Sequence, residues 1–306
     1  MDYKEKYLKY KLKYMNIKKR FKGGMKRPRC DEDGTEFYRT SRGKYLGELN
    51  AGNEPHGNGE LRLYNGDVFE GTFENGEELI GVLIYKSNGD IYEGEFKDGK
   101  RHGNGRLMKN DGRIEYNGAW EEDKKHGFGE FITANGIYKG HWENDLKHGL
   151  GKFTTADEIY KGDWENDLKH GFGEFITANG IYKGHWENDL KHGYGAYRTN
   201  DIEYIGDWVK GKKEGRGVQT DRLGDEYEGE WLNNKYHGRG ILKLATGVLM
   251  NGEWKNGLAH GHIIYVPDVN NPYQYRIRQY INGVFITTTE VIDGCGVIAG
   301  GGKKKK

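Results

Sequence analysis

Histidine, carboxylate and Gly-x-Gly are the patterns in this 306-residue chain that could do chemistry, and their spacing decides between roles. Eight of the eleven histidines, His56, His102, His126, His148, His170, His192, His237 and His260, stand directly before a glycine. A metal ligand or general base needs one particular geometry. A residue repeated at one place in many units instead fits a turn-stabilising role. His141 and His185 fall at alternate positions of a strand, on its polar face. His260-x-His262 would supply two ligands, but no nearby cysteine or further histidine completes a zinc set. The expectation is no metal and no catalytic residue.

Gly-x-Gly would suggest a phosphate loop. A dinucleotide fingerprint needs a strand, a G-x-G-x-x-G turn and a helix. Here Gly127-Phe-Gly129 runs into Glu130-Phe-Ile, which is more strand, and no Walker lysine or G-x-S-x-G occurs. Paired carboxylates are abundant, as on any solvated polar face. No cofactor and no enzymatic activity are expected.

The elements that carry these residues are repeats. Aligned on aromatic-x-Gly-x-aromatic, the chain reads Tyr45-Leu-Gly-Glu-Leu49, Phe69-Glu-Gly-Thr-Phe73, Tyr92-Glu-Gly94-Glu-Phe96 and Tyr116-Asn-Gly118-Ala-Trp120. It continues through Tyr138, Gly140 and Trp142; Tyr160, Gly162 and Trp164; Tyr182, Gly184 and Trp186; Tyr204, Gly206 and Trp208; and Tyr227, Gly229 and Trp231. Met250-Asn-Gly252-Glu-Trp254 closes the series, with steps of 22 to 24 residues throughout. All seven tryptophans occupy one place in the unit. Most units continue into His-Gly-x-Gly, with Gly103 and Gly105 after His102, Gly127 and Gly129 after His126, and Gly149 and Gly151 after His148. The same element places Gly171 and Gly173 after His170, Gly193 and Gly195 after His192, and Gly238 and Gly240 after His237. Residues 125–149 and 169–193 are identical over 25 positions, so a site of unique geometry does not belong inside that pair.

Period two puts Tyr138, Gly140 and Trp142 on one strand face and Lys139 and His141 on the other. Glu143 to His148 reads as a polar turn, and Gly149 to Phe153 as a second strand with bare glycines over which rings can lie. Asn135-Gly136, the strongest hairpin-turn signal, joins one unit to the next. A lone hairpin is marginal, so stability must come from stacking unit on unit.

The pattern Tyr-x-Gly-x-Trp followed by His-Gly-x-Gly resembles the MORN repeat over about residues 45–262. It departs from that pattern at Ile80-Gly-Val-Leu, at Glu214 in place of histidine, and at Met250 and His262. The resemblance implies an elongated, curved antiparallel sheet used for protein–protein contact, sometimes for dimerisation and sometimes for placement near membranes. MORN-like segments also occur fused to kinase or methyltransferase domains, but the 44 residues after 262 are too few for either. The expected fold is all-β: an elongated, twisted antiparallel meander of tandem β-hairpins, with a short N-terminal basic helix. The expected organisation is a basic amphipathic helix in 1–24, a linker and first strand in 25–44, and about ten repeats in 45–262. A hairpin cap follows in 263–292 and a flexible Gly/Lys tail in 293–306.

Tyr3, Tyr7, Tyr10 and Tyr14 recur at helical spacing among lysines, giving a basic face. Lys9, Lys11, Lys13, Lys18, Lys19 and Arg20 are its candidate contacts to an anionic surface. A solvated or self-associating helix, or one that binds a partner protein, fits the same residues. The segment also resembles Lys/Tyr-rich N-termini of proteins from giant DNA viruses of the mimivirus type. Residues 1–30 hold 12 basic and two acidic residues, whereas 31–302 hold 32 basic and 45 acidic, a net of −13. An acidic body argues against a dedicated nucleic-acid site. Cys30 and Cys295 make neither a disulfide framework nor a zinc spacing, which points to a reducing, cytoplasmic compartment, or a virion if the chain is viral. The first residues carry no apolar run of a secretory signal, and no apolar stretch is long enough for a membrane helix. The function expected is a non-enzymatic scaffold for protein–protein contact, with homodimerisation as one form. The alternative is a membrane-surface adaptor that uses the basic N-terminus.

Overall fold

The computed structural model describes residues 29–30, 36–270 and 274–292, and every regular element among them is a strand. The chain divides into two compact units, 1–146 and 147–306. The first holds β1 (Arg29–Cys30), β2 (Glu36–Arg39), β3 (Gly43–Leu49), β4 (Pro55–Leu63), β5 (Val68–Glu74) and β6 (Glu77–Ile84). It continues with β7 (Ile91–Lys97), β8 (Lys100–Met108), β9 (Ile114–Glu121), β10 (Lys124–Thr133) and β11 (Gly136–Glu143). The second holds β12 (Leu146–Thr154), β13 (Glu158–Glu165), β14 (Leu168–Thr177), β15 (Gly180–Glu187), β16 (Leu190–Arg198) and β17 (Ile202–Val209). After these come β18 (Lys212–Asp221), β19 (Glu226–Leu232), β20 (Lys235–Lys243), β21 (Leu249–Lys255), β22 (Leu258–Val266), β23 (Tyr275–Ile281) and β24 (Val284–Ile292). Within each unit every strand pairs antiparallel with the next, as in β9–β10–β11 and β13–β14–β15. The helix expected in 1–24 and the tail expected in 293–306 lie outside the described residues, as does Cys295.

The register explains the composition. Glycines face glycines across successive strands: Gly105, Gly118, Gly129 and Gly140 in the first unit. In the second, an unbroken row of ten runs from Gly151 to Gly252. The tyrosine of each unit lies over this row. A Cβ at Gly173 would come 2.6 Å from Tyr160 Cζ, and one at Gly195 2.7 Å from Tyr182 Cζ. Only a bare backbone leaves room for the ring.

The turns differ from the expectation. Within the hairpins after β4 the two turn residues are both left-handed, as at Asn144 (φ 51°) and Asp145 (φ 70°), or Asn188 (φ 49°) and Asp189 (φ 65°). This is the type I′ geometry that matches strand twist, and Asn and Asp tolerate it. Asn135-Gly136 is not such a turn: Thr133 pairs with Gly136, and Ala134 and Asn135 form the loop. There the Thr133 hydroxyl accepts the Asn135 N–H at 3.2 Å and donates to Gly136 O at 3.1 Å. Because the Asn-Asp pair alone makes the turn, the second strand begins earlier than glycine spacing indicated. His170 therefore lies within β14, not in a turn.

Candidate interaction surface

One face of each sheet is a closed aromatic ladder. In the second unit Tyr182 meets Trp186 and Trp208 at 5.1 and 5.4 Å, and Tyr204 meets Trp208 and Trp231 at 5.2 and 5.1 Å, all edge-to-face. Such pairs add to the stabilisation from burial. Tyr92, Tyr116, Tyr138, Tyr160, Tyr182, Tyr204 and Tyr227 are all buried, as are Trp120, Trp142, Trp164, Trp186, Trp208, Trp231 and Trp254. Their polar atoms are satisfied locally: Tyr182 Oη donates to His185 O at 2.9 Å, and Trp208 Nε1 donates to Gly195 O at 3.2 Å. Burial pushes the Tyr182 phenol above its ordinary pKa. At the start of the first unit, before Trp120, Phe69, Phe73 and Phe96 build the same ladder with phenylalanine.

Two features of this face carry no signature in the aromatic spacing. The first is a basic side chain above the ring sets at successive hairpins from Arg101 to Lys213, a place that Tyr236 takes further along by stacking on Tyr227 at 3.7 Å. Lys191 Nζ lies 3.9 Å from the Tyr197 centroid, 4.8 Å from Trp208 and 4.9 Å from Tyr182. Arg101 plays this part over Trp120 at 4.1 Å. Burial lowers the Lys191 and Lys213 ammonium groups to a pKa of about 8, while the ring faces favour the charged form. The second is a bond from an Asn-Asp turn to a strand of the preceding hairpin. Asp189 Oδ1 accepts the Lys169 N–H at 2.9 Å, and Asp189 N–H donates to Lys169 O at 3.0 Å. Asp167 and Lys147 repeat the first of these bonds. The Lys before His126, His148, His170 and His192, and the turn residues Asp123, Asp145, Asp167 and Asp189, were the signals for both.

The opposite face holds the charged and variable residues. The histidines before glycine sit here, and His126 faces Glu121 at 3.4 Å, His170 faces Glu165 at 3.3 Å and His192 faces Glu187 at 3.1 Å. Among the described residues no group of three or more His, Cys, Asp or Glu is placed to hold a metal ion. His260 is engaged instead through Nδ1, which accepts the Asn282 N–H at 3.4 Å. At the centre of Gly-x-Gly the side chains point outward: Leu150, Phe172 and Tyr194 are 65, 48 and 62% exposed in the second unit. Arg216 and Arg239 hold the equivalent positions further along. The candidate contacts Lys9, Lys11, Lys13, Lys18, Lys19 and Arg20 lie outside the described residues. No helix among the described residues is long and apolar enough to cross a membrane.

An aromatic ladder buried on one face, with variable side chains on the other, defines a tandem β-hairpin repeat protein. The MORN repeat family model matches nine segments: 51–68, 92–112, 116–137, 138–158, 160–181, 182–201, 204–222, 227–248 and 251–262. The chain belongs to the MORN repeat family, whose repeats usually mediate protein or membrane interactions. The hairpin at 69–91 lies between matched segments, yet β5 and β6 pair there like the others. It differs in having Glu78, buried and bonded to Arg42 at 2.5 Å, at the register position that Arg101, Lys125, Lys169, Lys191 and Lys213 hold in other hairpins. No curated protein is similar enough to the chain to count as a match.

Proposed function

We propose that the chain is a non-enzymatic scaffold that binds protein through the outward face of its repeats, with homodimerisation as one form of that contact. The observation that carries this reading is the division within each unit. The recurring Tyr, Gly and Trp are buried, while the residues that vary from unit to unit face solvent. In 147–306, Leu150, Phe172 and Tyr194 follow one another at equivalent exposed positions. Large apolar side chains gathered on a solvated face suit a protein partner better than water. The test replaces all three by serine in the full chain and compares sedimentation mass and cross-linked partners with the parent. Loss of a partner, or a fall to the mass of one chain with unchanged thermal unfolding, is expected. Identical mass and identical partners would overturn the reading.

A second reading, membrane-surface adaptor, is favoured by the 12 basic residues among the first 30. Anionic vesicles should then retain the full chain at low salt and release it at high salt or after removal of residues 1–24. Retention of the truncated acidic body would contradict this reading.

A further inference from the structure

The copied segments 125–149 and 169–193 differ in what stands across from them. In β14, Gly171 and Phe172 have no counterpart in β13, because Gly162 pairs with Gly173 and Asp163 with His170. Gly171 is left-handed (φ 56°), and the Phe172 N–H turns into the gap, where Asp163 Oδ2 accepts it at 2.9 Å. Three other hairpins close the gap in the same way. Glu95 accepts the Asn104 N–H at 2.9 Å, Asp207 the Arg216 N–H at 2.9 Å, and Glu230 the Arg239 N–H at 3.1 Å. A left-handed glycine followed by an inward amide is a concavity suited to an anion.

β10 has the same bulge, since Lys125 pairs with Trp120 and Gly129 with Gly118. Gly127 is left-handed (φ 65°), and Phe128 pairs with His141 as Phe172 pairs with His185. Ala119 stands where Asp163 stands, and its methyl carbon offers no acceptor. We infer that the notch at Gly127 and Phe128 is a carboxylate site, filled in trans by an acidic side chain of a protein partner. Phe128, 53% exposed and edge-on to His141 at 5.7 Å, gives that partner an apolar contact beside the notch. This inference rests on the reading of the outward face as a protein-contact surface.

The test uses the full chain labelled with 15N-phenylalanine, which has 11 amide signals. Sodium acetate is titrated against sodium chloride of equal ionic strength, and inorganic phosphate forms a separate arm. The Phe128 amide is expected to shift saturably with acetate while the Phe172 amide stays put. Ala119→Asp should abolish the response at Phe128, and Asp163→Ala should create one at Phe172. No shift at Phe128, equal shifts at both amides, or a stronger response to phosphate than to acetate would overturn the carboxylate assignment. Such a failure would leave the scaffold reading untouched, because that reading is tested by partner loss in the Leu150, Phe172 and Tyr194 variant.

Discussion

The two faces of the sheet in residues 147–306 are built from alternate residues of the same strands, yet they obey different rules. On the ladder face Tyr182, Trp186 and Trp208 interlock over Gly184 and Gly195, and no position can change without moving a neighbour. On the outward face Leu150, Phe172 and Tyr194 differ from one unit to the next while the backbone repeats. The contrast teaches that a repeat can hold its fold with one face and leave the other open to variation. A sheet one strand thick has no second layer to share the load, so stability should respond almost wholly to the ladder face.

That contrast can be broken in four ways. Trp208→Ala should be the most damaging, costing about 3–5 kcal/mol in denaturant unfolding, because it empties a buried ring site shared by Tyr182 and Tyr204. An effect as small as a surface change would show that the ladder does not carry the fold. Gly195→Ala should cost about 1–3 kcal/mol, since the new methyl meets the Tyr182 ring that cannot retreat. Asp189→Ala removes the acceptor of the Lys169 amide and should cost about 1 kcal/mol, read from the same unfolding curves. Leu150→Ser on the outward face should stay within about 0.5 kcal/mol of the parent.

Lys191 and Lys213 sharpen the comparison by titration. Their folded pKa of about 8 lies below the ordinary lysine value of 10.5. From about 8 up to the approach to the ordinary tyrosine value of 10.0 the unfolded chain binds more protons than the folded one, so stability should rise with pH there and be flat below it. Nearer 10.0 the buried tyrosines, held above that value by burial, ionise only in the unfolded chain and reverse the slope. Urea midpoints measured from about pH 7 to about pH 9, below the tyrosine range, check the sign, and Lys191→Met should reduce the rise. An unchanged midpoint would mean that the ring faces offset the desolvation completely.

The sequence determined the hairpin period, the faces and the buried ladder, because side-chain alternation and the Tyr-Gly-Trp spacing are local properties of a strand. It also marked Lys and Asp as recurrent without revealing what they do. Lys191 caps rings from three strands, and Asp189 bonds a backbone amide of the preceding hairpin, so neither role exists until strands pair. The turn type and the start of β14 were likewise decided by pairing, since a left-handed Asn166 and Asp167 match the twist of the two strands they join. Phe128 and Phe172 show the limit most plainly. Their segments are identical for 25 residues, and only the tertiary structure sets one against Ala119 and the other against Asp163.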